Sequence, residues 1–326
     1  MPKVTVVIPA YNSMGYLPET METALGQTFT DFEVLVVNDG STDNTPEWVL
    51  GIAEADNRVR MVSQVNKGLA GARNTGVIHA KGEYIAFLDA DDLWEPTKLE
   101  KQVRSLDESS EVGLVYTWTA LADKDGKSTG RVITSHAEGD VWQQLTEFNI
   151  VGCGSTPLIR RRCFDELGLF YEAVTPSDDW DMWLRIAKKF SFKVIKEPLI
   201  RYRQHASNSS KKSAVMLETC RTVIERGFAD APTEFLYLRN RSYGSIYLYV
   251  AWRAIESMDY KQAIYFCQQA CAHNPKSYFT KSYLRLNFAI ALVRLFGPQS
   301  YSKVVNWIYI LRRGFQGFAK RTPLQS

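Results

Sequence analysis

The sequence predicts an α/β protein: a mostly parallel sheet with helices on both faces, followed by an all-helical C-terminal region. Three observations carry this. Short continuous apolar runs alternate with amphipathic stretches over residues 4–92, and such alternation builds parallel sheets with crossover helices. Polar residues gather just past four successive runs, at the strand ends where such sheets hold ligands. From about Tyr243 the apolar spacing is helical throughout.

Taken in order, Val4-Thr5-Val6-Val7-Ile8, stopped by Pro9, reads as a buried strand. Tyr16–Gly26 is amphipathic, and Glu33–Val37 is a second strand closed by the turn Asp39-Gly40. Thr45 reads as an N-cap with Pro46 at the first helical position, opening a helix through Ala55. A strand at Val59–Val62, a helix at Leu69–Ala80 stopped by Gly82 and a strand at Tyr84–Leu88 follow. Residues 112–205 are less regular, with strands at Val112–Tyr116 and Phe192–Ile195, a helix at Trp180–Phe190, and a polar connector at Lys211–Ser213 beyond. The expected domains are therefore 1–212 and 213–326.

In the second of these, Met258–Ile264, Ala270 and Asn274-Pro275 resemble one tetratricopeptide repeat. A single copy predicts a helical hairpin over residues 243–276 packed on the main domain rather than a solenoid. Val304, Ile308, Leu311, Phe315 and Phe318 fall on one line of a basic amphipathic helix expected over residues 301–320.

The 326 residues are 45% hydrophobic and 23% charged, which excludes disordered, collagenous and coiled-coil classes. A net charge of +3 does not point to nucleic acid. The charge is unevenly placed. Of the 39 Lys and Arg, ten follow Asp259, where no Asp or Glu occurs, so residues 1–259 carry −7 and the rest +10. A cationic tail suggests an acidic partner, with an anionic membrane surface as the candidate for residues 300–326; the alternative is a helix buried against the domain. The five cysteines show no CxxC spacing and read as reduced thiols. The opening strand pattern, without a leader-like segment, gives the expectation of a cytoplasmic protein that could sit at the inner face of the plasma membrane.

Three stretches carry chemistry. Asp89-Ala90-Asp91-Asp92 follows a central apolar strand. Three adjacent carboxylates repel one another unless a cation compensates them, and hard divalent ions take carboxylates plus phosphate oxygens; the plain alternative is a solvated loop capping the next helix. Asn66-Lys67-Gly68 through Arg73-Asn74-Thr75-Gly76 sets glycines and two cations at a helix start, which suits phosphate or is simply a Gly-bearing turn. Ser177-Asp178-Asp179-Trp180-Asp181 opens a helix with carboxylates, which suits the helix dipole or supplies a base for an acceptor hydroxyl.

Together with Val6–Asn12, Val36–Asp43 and Tyr202-Arg203-Gln204-His205, these stretches resemble the family 2 glycosyltransferases of GT-A fold over about residues 3–210. The resemblance implies residue roles. Pro9, Ala10, Tyr11, Asn12 and Asp39 would bind the nucleotide, with Asp39 on a uracil ring; Lys67, Arg73, Asp89 and Ala90 would lie near it. Asp91 and His205 would hold Mg²⁺ or Mn²⁺ on the diphosphate, and Asp179 would be the catalytic base. Asp178, standing where the family usually has Glu, would meet acceptor or donor sugar with Trp180 and Trp94. The implied activity is inverting transfer from a nucleotide-sugar donor, a UDP-sugar, to a sugar, glycan or lipid-linked acceptor. A nucleotidyltransferase would want a Gly-rich, Arg-bearing loop where Tyr11-Asn12-Ser13 stands. A glycoside hydrolase would need two carboxylates and no nucleotide site. A non-catalytic scaffold would not need Asp91 and Asp179.

Overall fold

The computed structural model describes residues 1–205 and 213–297. The first part runs β1 (Val4–Ala10), α1 (Leu17–Leu25), β2 (Phe32–Asn38), α2 (Thr45–Ala55), β3 (Val59–Ser63), α3 (Gly68–His79) and β4 (Tyr84–Phe87). There follow β5 (Leu93–Trp94), α4 (Lys98–Asp107), β6 (Val112–Ala122), β7 (Ser128–Ile133), α5 (Trp142–Glu147), β8 (Leu158–Arg160), α6 (Arg161–Leu167), α7 (Asp178–Ala187) and β9 (Ser191–Arg203). Four helices complete the described chain: α8 (Ser213–Phe228), α9 (Leu236–Glu256), α10 (Tyr260–His273) and α11 (Lys281–Phe296).

One sheet holds all nine strands, in the order β3-β2-β1-β4-β8-β6-β9-β5, with β7 beside β6. The N-terminal half is parallel throughout, as the strand–helix alternation predicts. Beyond β4 the sheet is mixed. β8 is antiparallel to both neighbours, β6 and β9 run parallel, and β5 and β7 join antiparallel. Every residue of β1 and β2 is buried, because helices cover both faces and leave no polar side for alternation. α3 sits tight on β1: a Cβ on Gly76 would lie 2.2 Å from Val7 Cγ1.

Thr45 opens α2 as its first residue, one position inside the expected cap, and its hydroxyl accepts from Ser13 N at 3.0 Å. Asp43 accepts from Thr45 N and from Met14 N. The first two strand-end loops are thus tied together before any ligand arrives.

The chain divides into two compact units, Met1–Arg239 and Asn240–Ser326. In the first, α8 packs on α7. In the second, α10 follows α9 through a tight turn in which Met258 takes a left-handed backbone (φ 62°) and the Asp259 carboxylate caps α10 by accepting from Gln262 N. Gly244 lets the helices approach: a Cβ there would meet Asn274 Cβ at 2.8 Å, while Tyr243 and Tyr247 stack on His273. Residues 206–212, with Lys211 of the connector, and the basic helix expected over 301–320 lie outside the described residues. Among those described, no helix is long and apolar enough to cross a membrane. All five cysteines are free.

Candidate active site

The site forms where the strand ends converge. β1 and β2 deliver the first loops, with Asp39 N donating to the Ala10 carbonyl at 2.8 Å. Pro9 and Ala10 are buried in the sheet, whereas Tyr11 is 53% exposed at its edge. Asn12 adopts a left-handed backbone (φ 48°), and its Oδ1 accepts from Thr42 N and Asp43 N. This shapes the loop around the open end of β1.

Asp39 is 3% exposed and accepts three bonds: from Gln64 Nε2 at 2.7 Å, Lys67 N at 2.8 Å and Gly68 N at 2.9 Å. The carboxylate therefore caps α3, a role not visible in the sequence, and two oxygens with about four lone-pair positions leave it room for one more donor. Lys67 itself is exposed beside this loop.

α3 carries Arg73 inward. Arg73 is 3% exposed; its Nη1 donates to Asp178 at 2.8 Å and its Nη2 to Asp89 at 2.9 Å. One guanidinium thus joins the loop after β4 to the start of α7. Next to it Asn74 pairs with the Phe170 backbone in both directions, anchoring the segment that leads into α7. Gly154 makes room: a Cβ there would lie 2.3 Å from Arg73 Nη2.

The charges do not balance. Arg73 faces Asp89, Asp178 and Asp179. Burial disfavours the guanidinium charge, but the three acids more than offset this and hold Arg73 charged. Asp178 is fully buried, and its Oδ1 has no hydrogen-bond partner among the described residues. Asp179 is partly exposed; burial and then Asp178 push it up to about 7, against the pull of Arg73. It accepts from Trp180 N at 2.6 Å and, at the long end, from Asn149 Nδ2 at 3.4 Å. A partly exposed carboxyl pushed up toward neutrality beside a buried ion pair is a base of suitable strength for a hydroxyl.

On the other side of Asp89, Asp91 Oδ2 lies 2.7 Å from His205 Nε2. Burial and then Asp89 push Asp91 up, and His205 works the other way. The His205 ring stacks on Tyr16 at 4.9 Å, and the Arg203 guanidinium lies over the same tyrosine. Asp91 and His205 present one carboxylate and one imidazole together, and among the described residues no third His, Cys, Asp or Glu joins them as a ligand group. A divalent cation held there would take most of its ligands from phosphate and water, and the mixed N/O donor pair would suit Mn²⁺ at least as well as Mg²⁺.

Beneath this surface the acidic loop is held by Ser155 and Thr20, which no motif includes, and by Asp92 and Arg203, motif members whose bracing role the sequence does not show. Ser155 Oγ accepts from Asp89 N at 3.1 Å and donates to Asp92 at 2.6 Å. Asp92, fully buried, also accepts from Arg203 N, and Arg203 Nε donates to the Asp91 carbonyl. The Ala90 carbonyl accepts from Thr20 Oγ1. The one sequence signal was the small-residue run Gly152-Cys153-Gly154-Ser155-Thr156, a shape that fits where backbone must approach a buried group.

Two residues expected at the sugar are buried and hydrogen-bonded inward. Trp94 is 1% exposed, donates to the Ser155 carbonyl at 3.0 Å and stacks under Lys98 Nζ at 4.0 Å; it braces the loop from behind. Trp180 is 5% exposed and donates to the Leu145 carbonyl of α5 at 2.8 Å.

This arrangement can be set against known proteins. The sequence model described as Glycosyl transferase family 2 matches residues 5–168. The chain belongs to glycosyl transferase family 2. An uncharacterized glycosyltransferase of Rickettsia bellii is 31% identical over 80% of this chain and 38% of its own length. Chondroitin synthase of Escherichia coli is 31% identical over 65% of this chain and 30% of its own. The chain spans less than half the length of the Rickettsia bellii relative and of those from Rickettsia felis and Rickettsia conorii, and 69% of those from Rickettsia prowazekii and Rickettsia typhi. The fold is shared with a mannosyltransferase from Pyrobaculum calidifontis, solved in complex with GDP-Man and Mn²⁺ (TM-score 0.61, 20% identity, 98% of this chain and 88% of that one). The sheet and its helices are thus those of a family 2 glycosyltransferase domain, with a helical region after it.

Proposed function

We propose that this family 2 glycosyltransferase is a metal-dependent, inverting hexosyltransferase that moves a sugar from a UDP-sugar to a glycan or glycolipid hydroxyl in polysaccharide or glycolipid synthesis. The observation that carries the reading is the Arg73 bridge, which draws the base candidate Asp179 to the Asp89–Asp91 loop across about a hundred residues of sequence.

The loops of Pro9–Asn12 and Asp39 would take the nucleotide. Asp39 retains acceptor capacity for one N–H, which uracil N3 supplies; guanine N1 competes for the same place, and GDP-Man bound to the Pyrobaculum enzyme makes that competition concrete. Asp91 and His205 would hold Mg²⁺ or Mn²⁺, an ion that supplies Lewis-acid stabilisation to charge building on a diphosphate. Asp179 accepts the proton of the acceptor hydroxyl as it attacks the anomeric carbon, and one displacement inverts that centre. Burial pushes Asp178 up while Arg73 pulls it back toward its charged form, and the charge on Asp178 in turn raises Asp179. The likeness to a chondroitin synthase supports a growing glycan as acceptor.

The test is nucleotide release from a panel of UDP- and GDP-sugars, with and without Mn²⁺. UDP release that requires Mn²⁺ is expected, with Asp179→Asn lowering it about 10²–10⁴-fold and Asp91→Asn removing the stimulation by Mn²⁺. Release of GDP alone would replace the donor assignment. Folded protein that neither turns over nor is stabilised by any nucleotide would mark a non-catalytic scaffold.

A further inference from the structure

We propose that the C-terminal helical unit carries a docking surface for an anionic lipid bilayer, formed by the outward face of α11 and the turn before it. The inference is independent of the transferase chemistry. α11 is apolar on two sides. Leu286, Ala289, Ile290 and Val293 are buried. Leu284, Phe288, Ala291 and Leu295 are exposed and fall at i, i+4, i+7 and i+11, which sets them on one narrow stripe. Leu284, Phe288 and Leu295 expose 57, 61 and 75% of their surface, and Phe279 in the preceding turn 86%. A helix of a soluble unit normally turns polar groups outward there.

The flanks identify what covers the stripe. At about 100° per residue, Lys281 and Arg285 lie along one side and Arg294 along the other. All three are exposed, and among the described residues none has an ion-pair partner. No acid occurs anywhere after Asp259. A second copy of the chain would bring the same cations to the same face. Residues 298–326 would bring five more basic residues and no acid. Like charge disfavours both occupants. The complement is anionic and accepts apolar side chains to a shallow depth. A single convex helix with an apolar centre and cations on both edges matches the headgroup–acyl boundary, where the stripe sinks roughly 5–10 Å and Lys and Arg reach the headgroups.

The experiment is co-sedimentation of the full chain with phosphatidylcholine vesicles, with and without phosphatidylglycerol, at low and high salt. Binding that needs phosphatidylglycerol and weakens with salt is expected. Lys281→Gln, Arg285→Gln and Arg294→Gln together should lower partitioning about a hundredfold, roughly fivefold per cation. Leu284→Ser with Phe288→Ser should abolish binding while moving the melting temperature little, because most of both side chains is already exposed to water. Binding that these variants leave intact overturns the assignment to α11. So does no binding to either vesicle, or an acidic soluble protein that binds the same face in the absence of lipid. A lipid-free dimer that Phe288→Ser dissociates would assign the face to a second copy instead. Asp179→Asn should bind vesicles like the parent, which separates this result from the fate of the transferase reading.

Discussion

Asp179 sits in a charge excess that sets its own titration. Arg73 supplies one positive charge against Asp89, Asp178 and Asp179, and Asp179, raised to about 7, is the group that holds a proton near neutrality. A base must be deprotonated to act, so kcat/KM for nucleotide release should rise with pH through about 7 and level off above it; a profile already flat from pH 6 would remove Asp179 from the role. Stability runs the other way. The folded chain binds this proton where an unfolded aspartate has released it, so the contribution is full at low pH and lost as pH rises from the ordinary carboxylate range to about 7. Asp179→Asn should flatten that slope in denaturant titrations. Arg73→Ala strands the fully buried Asp178, and breaking a buried pair from one side costs about 3–5 kcal/mol. Adding Asp178→Asn should restore part of it, and a double mutant no more stable than Arg73→Ala would show that the pair is not coupled. Each of these residues is legible in the sequence as a member of a motif. That one arginine ties two motifs together is not, because 105 positions separate Arg73 from Asp178 and no local period reports such a contact.

Elements show where reading by pattern ends. β1, β2 and α3 are legible because long apolar runs and helix-stop residues mark them. β5 and β8 have two and three residues and offer no period to detect. Trp94 belongs to one of these and Trp180 to a helix start, and an aromatic beside an acidic loop reads the same whether it faces a sugar or braces the backbone. Only burial separates the cases. The bracing has consequences at the loop after β4. Ser155→Ala would leave Asp92 and Asp89 N short of a partner in a buried place, at a cost of about 1–3 kcal/mol. Gly154→Ala pushes a methyl into Arg73 Nη2, whose two carboxylate partners hold it in place. We expect Gly154→Ala to lose nucleotide release out of proportion to its loss of thermal stability, measured side by side; equal, small losses in both would mean that the guanidinium relocates without harm.

At the scale of the whole molecule, the parallel half was readable since strand and helix alternate regularly there: β1, β2 and β3 pair in sequence order through one crossover helix each, and β4 follows α3 back to the other edge of β1. The second half was not, since that alternation stops after β4, β8 has only three residues and inserts antiparallel between β4 and β6, and β6 then takes β9 as its parallel neighbour. The site spans both halves. Asp91 comes from the first and His205 from the end of β9, so a ligand that engages both must stabilise the complete first unit rather than one part of it. Ligand that binds only the folded chain adds about 2.7 kcal/mol at a hundredfold excess over its dissociation constant. On the proposed reading, UDP with Mn²⁺ should therefore raise the melting temperature by more than either alone, because Asp91 and His205 would provide two of the several ligands a divalent ion needs and a diphosphate would provide others. Replacing Asp91 by Asn should leave the shift from UDP alone in place while removing the part that Mn²⁺ adds. If the Mn²⁺ increment survives in Asp91→Asn and in His205→Ala, the cation is held elsewhere, and the link between the two halves of the sheet at this site does not run through it.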